Sequence, residues 1–243
     1  MLIFLFSIVI SLIIVVLSIY LELFYKEFEK IAYEVNGKFN VNYSDEIPNV
    51  AIFVSKQNHC LIDLLWRVRN GELKMKVPLI ISNHSDLENI ANDFNAKFVH
   101  LDTFTLDKSF VEDQFLNLLK EYEIDLVVLA KYMQILSDSF LKKFSSIINI
   151  HHSFLPAFKG GQPYHRAWKR GVKLIGATAH YVTEHLDEGP IIEQCTVNVS
   201  HRDEVDDLIR KGRDIERIAL ARAVRLHLNH QVFVYNSKTA VFD

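Results

Sequence analysis

Short, continuous apolar runs recur along the chain and alternate with segments of helical periodicity. The clearest runs are Val50–Val54, Pro78–Ser82, Asp125–Ala130 and Ile147–Ile150. A strand that is covered on both faces has no polar side, so runs of this kind indicate strands of a parallel sheet. Their alternation with helices is typical of βαβ units joined by right-handed crossovers. The sequence therefore predicts an α/β fold with a mainly parallel, twisted sheet and helices on both faces.

The segments between these runs complete the predicted order of elements. Asn58 can cap a helix that continues through Trp66 and Val68 and ends at Gly71. Further helices are predicted over Asp86–Phe94, Ser109–Tyr122, Ser137–Phe144, Pro163–Gly171 and Asp203–Asn229. Further strands are predicted over Lys97–His100, Gly176–Val182, Pro190–Val197, Val232–Tyr235 and Thr239–Phe242. The chain is thus predicted to end in a long helix and a β-hairpin.

The first residues differ from the rest of the chain. Met1–Leu21 carries no charge and is almost entirely apolar, and a helix that spans a membrane needs about 20 such residues. Lys26, Lys30 and Lys38 follow this segment, so its insertion would leave the remaining chain in the cytoplasm, anchored to the inner face of a membrane. It lacks the basic start and the cleavage site of a secretory signal. Two interpretations stay open: a membrane segment, or translation from an altered start.

A short region links this segment to the predicted sheet. Glu22–Val35 has helical spacing, Phe39–Tyr43 alternates like a short strand, and Ser44–Pro48 has the composition of a linker. We therefore divide the chain into residues 1–21, 22–44 and 45–243.

Charge and cysteine content narrow the function classes. The 243 residues carry a formal net charge of −3, and their Lys and Arg are dispersed. A nucleic-acid-binding protein would show a clustered basic surface. Cys60 and Cys195 lie far apart without a CxxC pair, which fits a reducing compartment better than a disulfide framework or a zinc–thiolate site. Of the function classes considered, chemistry on a small molecule is the one that remains.

Three polar residues beside predicted strand ends are the candidate catalytic groups. Asn149 and His151 are two residues apart at the end of a strand, so their side chains point to the same side. Asp187 lies in the loop between two later strands. An amide, an imidazole and a carboxylate can hold a carbonyl group, stabilise its oxyanion and move protons. Asp187 could orient the imidazole, or accept a proton from water if burial raises its pKa.

Simpler interpretations of the same residues stay open. Asn149 can be a capping residue and His151 a structural histidine, whereas His152 points away from them and has a structural role. Asp187 can be a turn residue, and the neighbouring Glu188 could replace it in catalysis. A metal hydrolase is a further alternative, raised by His151, His152, His165, His180 and His185, but these lack the helical spacing of metal-binding histidines. Gly160 and Gly161 precede a helix without matching a phosphate-binding loop.

Several segments together resemble the formyltetrahydrofolate deformylases. The resemblance extends from about residue 44 to the C-terminus and is most specific in Val54–Leu61, Leu126–Gln134, Ile147–Phe158, Pro163–Ala167, Gly176–Val182 and Leu186–Ile192. It implies a formyltransferase-type fold and hydrolysis of 10-formyltetrahydrofolate to tetrahydrofolate and formate, which supplies formate for purine synthesis and balances one-carbon pools. The folate is then the substrate, and no cofactor and no metal are expected.

The resemblance also assigns roles to individual residues. The catalytic Asn, His and Asp of the family fall on Asn149, His151 and Asp187. The pterin is expected beside the Asp187 loop, against the strand end that carries Met133, Ile135 and Leu136, and His180 and Gly160 are assigned to substrate binding. Family members begin with a regulatory ACT domain, of which residues 22–44 resemble only the last helix and strand. The resemblance therefore implies neither the family's oligomer nor its regulation by amino acids, and a homo-oligomer stays an open prediction.

Related formyltransferases act on an amine and are the main alternative. They hold a ribonucleotide phosphate in a glycine-rich loop after the first strand, where this chain has Ser55-Lys56-Gln57-Asn58-His59-Cys60. Without glycine the backbone cannot approach a phosphate as closely. The sequence therefore favours water as the acceptor. A truncated, inactive folate-binding protein is the alternative from another class.

Overall fold

The computed structural model describes residues 20–37, 39–43, 45–103, 105–157 and 162–242. The chain divides into two compact units, residues 1–46 and 47–243, whereas the sequence places the boundary after residue 44. Of the predicted membrane segment, only Tyr20 and Leu21 belong to the described residues. Within that described part, no helix combines the length and the apolarity needed to cross a bilayer.

The first unit contains a helix, α1, over residues 20–34, which confirms the helix predicted there. Phe28 of α1 packs on Phe39, with their ring centroids 5.7 Å apart. The strand predicted over Phe39–Tyr43 is wrong, because residues 39–43 adopt no strand conformation. A strand needs a hydrogen-bonded neighbour, and the described residues of this unit provide none. The assignment of residues 22–44 to an ACT remnant stays a prediction.

The second unit is built on a seven-stranded sheet with the order β3-β2-β1-β4-β5-β6-β7. Its strands are β1 Asn49–Val54, β2 Lys76–Ser82, β3 Lys97–His100, β4 Leu126–Leu129, β5 Ile147–His151, β6 Leu174–Tyr181 and β7 Ile191–Asn198. The first five strands are parallel, and β6 and β7 are antiparallel to their neighbours. The predicted mainly parallel sheet is therefore confirmed.

The helices and the terminal hairpin are also close to their predicted positions. They are α2 His59–Arg69, α3 Glu88–Asp93, α4 Lys108–Glu121, α5 Asp138–Lys143, α6 Pro163–Arg170 and α7 Val205–Leu228, followed by β8 Val232–Tyr235 and β9 Lys238–Val241. Asn58 precedes α2, but its side chain makes no capping hydrogen bond, so the predicted cap is wrong. Asp107 and Ser137 do cap α4 and α5 with their side-chain oxygens.

The hydrophobic core lies on both faces of the sheet, which explains the continuous apolar runs. In β1, Val50, Ile52 and Val54 belong to one apolar cluster and Ala51 and Phe53 to the other, and all five are fully buried. The first cluster includes residues of α2, α3 and α7, and the second includes residues of α4 and α5. This two-sided packing fixes the sheet and leaves polar side chains at the carboxyl ends of β4 and β5 and in the β6–β7 loop.

Candidate active site

The three predicted catalytic residues lie around one cavity. Asn149 and His151 end β5, and Asp187 enters from the loop between β6 and β7. Together with His180 they line a cavity of about 340 Å³. Ligands bind at the carboxyl ends of parallel strands in open α/β sheets, which is where these side chains meet. Of the two acids of the loop, Asp187 lines the cavity and Glu188 does not.

Asn149 is held by His180, its direct neighbour across the β5–β6 pair. Nδ1 of His180 lies 2.8 Å from the carbonyl oxygen of Tyr181, which can only accept a hydrogen bond, so this nitrogen carries the proton. Burial lowers the pKa of His180, and the ring is therefore neutral at pH 7. Its Nε2 then accepts a hydrogen bond from the Asn149 amide nitrogen at 3.3 Å. The second N–H of that amide remains for a ligand.

His151 and Asp187 form a hydrogen-bonded pair. Nδ1 of His151 lies 3.2 Å from Oδ1 of Asp187, so the carboxylate holds the proton on this nitrogen. The opposite nitrogen, Nε2, is buried and has no hydrogen-bond partner among the described residues. A buried polar atom without a partner is unfavourable by about 1–3 kcal/mol, so a site that keeps one is prepared for a ligand atom.

The electrostatics of Asp187 differ from one sequence-based interpretation. Burial raises the pKa of this carboxyl, but the hydrogen bond and the charge of His151, with a contribution from His180, lower it further than burial raises it. Its pKa lies below the ordinary value, and Asp187 is an anion at neutral pH. The alternative in which Asp187 itself accepts the proton from water required a raised pKa, and this condition is not met. The carboxylate is suited to orienting His151 and water and to balancing a positive charge on the ring.

The local sequence explains how Asp187 reaches the cavity. Asp187 adopts a left-handed conformation with a φ of 57°, which Asp tolerates better than most residues. Two residues later, a Cβ added to Gly189 would lie 1.7 Å from the carbonyl oxygen of Tyr181. The loop is also tied to β6 by a hydrogen bond of 2.9 Å from the Tyr181 N–H to the Pro190 carbonyl. Only glycine allows this close approach, which sets the position of the loop.

The residues predicted to contact the pterin lie on one wall of the same cavity. Met133, Ile135 and Leu136 follow β4; Leu136 is buried, whereas Met133 and Ile135 are 60% and 61% exposed. The Met133 N–H donates to Oγ of Ser55 at 2.9 Å, which attaches this wall to the end of β1. Gly160 lies outside the described residues, and its role stays a prediction.

His152 occupies a different place from the one expected. It lines the cavity, and its ring stacks on His151 with a centroid distance of 5.1 Å. The alternation of side chains that would turn it away holds only within a strand, and β5 ends at His151. Burial, followed by the electrostatic effects of the neighbouring Lys131 and His151, lowers the pKa of His152 to about 4. The ring is therefore neutral at pH 7 and can stack on His151 without repulsion.

A buried charged cluster behind His152 was not found from the sequence. One carboxylate oxygen of Glu216 lies 2.7 Å from Nε2 of His59 and 3.4 Å from Nζ of Lys131, and the other accepts a hydrogen bond of 2.6 Å from Tyr164. These contacts hold the pKa of Glu216 at about 2, despite the burial that raises it. Gly212 gives Tyr164 room, since a Cβ there would lie 2.1 Å from its hydroxyl. The alternation of apolar and polar residues gave no signal for these distant partners.

Ligand atoms that could hold a metal occur at one place in the described part of the chain. His59, Cys60 and Glu216 offer three such atoms within 4.8 Å of one another. The Lys131 ammonium already faces the carboxylate oxygen that a cation would need. The five histidines considered from the sequence form no such group in the described ranges: His185 lines the first cavity, whereas His165 lines a second one.

Known proteins that are similar to this chain belong to the same family that the sequence motifs indicate. The formyl transferase domain family matches residues 48–224. A formyltetrahydrofolate deformylase of Synechocystis is 60% identical over 213 residues, 88% of this chain and 75% of the relative. One from Mycobacterium tuberculosis is 52% identical over 213 residues, 86% of this chain and 68% of that relative.

Two solved structures show the range of the similarity. A formyltetrahydrofolate deformylase from Pseudomonas syringae has a TM-score of 0.87 at 44% identity and covers 91% of this chain and 75% of its own. A glycinamide ribonucleotide transformylase from Symbiobacterium toebii has a TM-score of 0.78 at 30% identity, covering 84% of this chain and 99% of its own. The fold is therefore shared by hydrolases and transferases.

Proposed function

We propose that this chain, which belongs to the formyltetrahydrofolate deformylase family, hydrolyses 10-formyltetrahydrofolate to tetrahydrofolate and formate. The observation that carries the proposal is the cavity at the end of β5, which Asn149, His151 and Asp187 line together. One amide N–H of Asn149 remains for a ligand, the carboxylate is ionised, and the buried Nε2 of His151 has no hydrogen-bond partner in the described part of the chain. These are the groups that attack of water on a formyl amide requires.

In the first step, water attacks the formyl carbon. The Asn149 amide donates its second N–H to the formyl oxygen and stabilises the negative charge that develops there. The hydrogen-bonded His151–Asp187 pair orients the water and takes up its proton as the carbon–oxygen bond forms. His180 acts as a positioning residue, because it accepts from the Asn149 amide and so fixes the direction of the remaining donor.

In the second step, the tetrahedral intermediate collapses. The bond between the formyl carbon and N10 breaks, its electron pair stays on N10, and the proton held by the His151–Asp187 pair moves to that nitrogen. The products are tetrahydrofolate, formate and one proton released to solvent. The apolar wall of Met133, Ile135 and Leu136 suits the flat pterin ring, beside the reacting carbonyl.

The surroundings of β1 support water over an amine as the acceptor. Where related transferases hold a phosphate, Ser55 donates to the Asn83 side chain at 2.7 Å and accepts from the Met133 N–H. The side chain thus fills the position that a glycine would leave open to a phosphate. Each proton of the reaction can be handled by the residues named above, and 10-formyltetrahydrofolate enters as substrate.

The wider assignments follow from the chemistry of the products. We infer that the formate supplies purine synthesis, that the released tetrahydrofolate balances one-carbon pools, and that the chain acts in the cytoplasm. Residues 22–44 stay assigned to an ACT remnant, and membrane anchoring through residues 1–21 stays an open prediction. Fractionation of cells, followed by a carbonate wash of the membranes, tests the last point.

The test of the activity uses the purified full chain and 10-formyltetrahydrofolate without an amine. We expect formate and tetrahydrofolate in equal amounts. Asn149→Ala is expected to lower kcat by about 100- to 1000-fold, the effect of losing one oxyanion donor. Asp187→Asn is expected to lower it by about 100- to 10,000-fold, the range for acid–base groups.

The matched control is His201→Ala, an exposed histidine in the turn before α7, which is expected to turn over normally. Consumption of 10-formyltetrahydrofolate only when an amine is added, with the formyl group transferred to that amine, would support a transferase instead. Binding of folate without any turnover would support an inactive folate-binding protein. Near-normal turnover by Asp187→Asn would refute the assignment of the His151–Asp187 pair.

A further inference from the structure

We propose that the second cavity, beside the catalytic one, receives the formate product as an anion and releases it to solvent. The inference rests on the proposed function, which makes formate the product. This cavity has a volume of about 440 Å³, room for formate together with several waters at about 30 Å³ each. It lies on the side of Lys131 that faces Ser55, Arg213 and Gln162.

The two cavities share one wall. Lys131, Met133, Gln134 and His152 line both of them. A small product formed at His151 therefore has a neighbouring space on the other side of His152, whose ring stacks on that of His151. The folate occupies the opposite, apolar side in the proposed function, so formate does not need to pass the substrate.

The charges in this second cavity favour an anion. Lys56 and Arg213 are exposed at its rim, and the buried Lys131 lies at its base. Glu216 is the carboxylate in the lining, and His59, Lys131 and Tyr164 already contact its two oxygens. The ion pair between Lys131 and Glu216 measures 3.4 Å, longer than the about 2.7–2.9 Å of a strong charge-assisted hydrogen bond. The Lys131 ammonium can therefore donate to a second anion.

The catalytic cavity has the opposite character. Asp187 is an anion there and would repel formate once it is formed. Formate is ionised at neutral pH, as carboxylic acids are. The electrostatic potential therefore rises from Asp187 towards Lys131. The energy of an anion falls in that direction, and the product is drawn out of the site. The proposed hydrolysis assigns no step to Lys56 or Arg213, so this path accounts for their place.

The neighbouring helix supplies matched controls. Arg213 and Arg210 both lie on α7, but Arg210 pairs with Asp207 at 3.0 Å and does not line the cavity. Arg217 pairs with Asp214 in the same way. Substitution of Arg210 thus removes the same charge from the same helix without changing the proposed site.

The test measures formate binding directly and as product inhibition. ¹³C-labelled formate is titrated into the full chain and followed by NMR, and its inhibition constant is measured against 10-formyltetrahydrofolate. We expect Arg213→Gln and Lys56→Gln each to weaken formate binding about fivefold, and the double variant about 25-fold, since the free energies of separate charge contacts add. Arg210→Gln is expected to bind formate like the unchanged chain.

Formate binding that is equal in the double variant and the unchanged chain would overturn the inference, whatever the activity. The inference would also be overturned if inorganic phosphate displaced formate and bound more tightly, since the cavity would then be built for a larger anion. These variants could instead raise KM for the folate, and only when the substrate carries its glutamate tail. That result would assign the basic residues to the tail and would also overturn the inference. A chain that binds added formate at this site but produces none from 10-formyltetrahydrofolate would refute the proposed function instead.

Discussion

Replacement of Gly189 by alanine tests how the β6–β7 loop controls catalysis. The added methyl group would lie 1.7 Å from the Tyr181 carbonyl oxygen and 2.8 Å from its carbonyl carbon, both of them backbone atoms. Cβ atoms essentially never come closer than 3.0 Å to such an atom, so the loop must move away from β6 by about 1.3 Å. Asp187 is two residues away and must move with it.

The consequence is a loss of catalysis rather than of folate binding. The hydrogen bond from His151 to Asp187 measures 3.2 Å, and a further displacement of this size takes it beyond hydrogen-bonding range. Misplacement of a catalytic group by about 1 Å lowers the rate by about 100-fold. We therefore expect kcat of Gly189→Ala to fall about 100-fold, while KM changes less than about threefold because the wall at Met133–Leu136 is unaffected.

The assay is steady-state formate release by the full chain, with thermal unfolding measured in parallel. Gly71→Ala is the matched control: its φ is +74°, so alanine is strained there, but nothing lies within 4 Å and the site is remote. It is expected to lower stability by about 1 kcal/mol and to leave kcat unchanged. A Gly189→Ala variant that unfolds like the unchanged chain and turns over normally would refute the reasoning.

Two further predictions concern the buried groups near the site. The pKa of His152 is about 4 in the folded chain and an ordinary 6.5 in the unfolded chain, so on acidification the unfolded chain binds the proton first. The free energy of unfolding therefore keeps its full value above pH 6.5 and falls as the pH drops towards 4. Urea unfolding should therefore show a loss of about 2 kcal/mol between pH 7 and pH 5 that His152→Gln lacks, and equal slopes would contradict this. Glu216→Leu leaves Lys131 buried without its partner and should lower the free energy of unfolding by about 3–5 kcal/mol at pH 7; a change below about 1 kcal/mol would refute the pairing.

The sequence predicts most of the fold because the sheet is covered on both faces. Val50–Val54 is apolar at every position since both faces of β1 are buried, and this makes the strand recognisable without a partner. Phe39–Tyr43 shows the limit of the same method. Its alternation resembles a strand, but alternation does not guarantee a neighbour for the hydrogen bonds. The Asn58 cap fails for a similar reason: the residue type permits a capping bond but does not require one.

The sequence predicts the part of the site that depends on residues close together in the chain. Asn149 and His151 share a strand, so their common direction follows from spacing. Asp187 was a candidate from its place in a loop between two strands, and only the family resemblance favoured it over Glu188. Glu216, Lys131 and His59 lie far apart in the sequence and meet only through the packing of α2 and α7 against the sheet. The state of His180 depends on how its side chain is turned within β6, since the carbonyl oxygen of the next residue, Tyr181, decides which nitrogen carries the proton.

The most direct measurement follows the oxygen atoms of the product. The full chain is incubated with 10-formyltetrahydrofolate in ¹⁸O-labelled water, without an amine, and the formate is analysed by mass spectrometry. Attack of water at the carbonyl held by Asn149 predicts one labelled oxygen in each formate, and formate release at least about 100-fold slower with Asp187→Asn. Unlabelled formate, or turnover that begins only when an amine is supplied, would contradict the account.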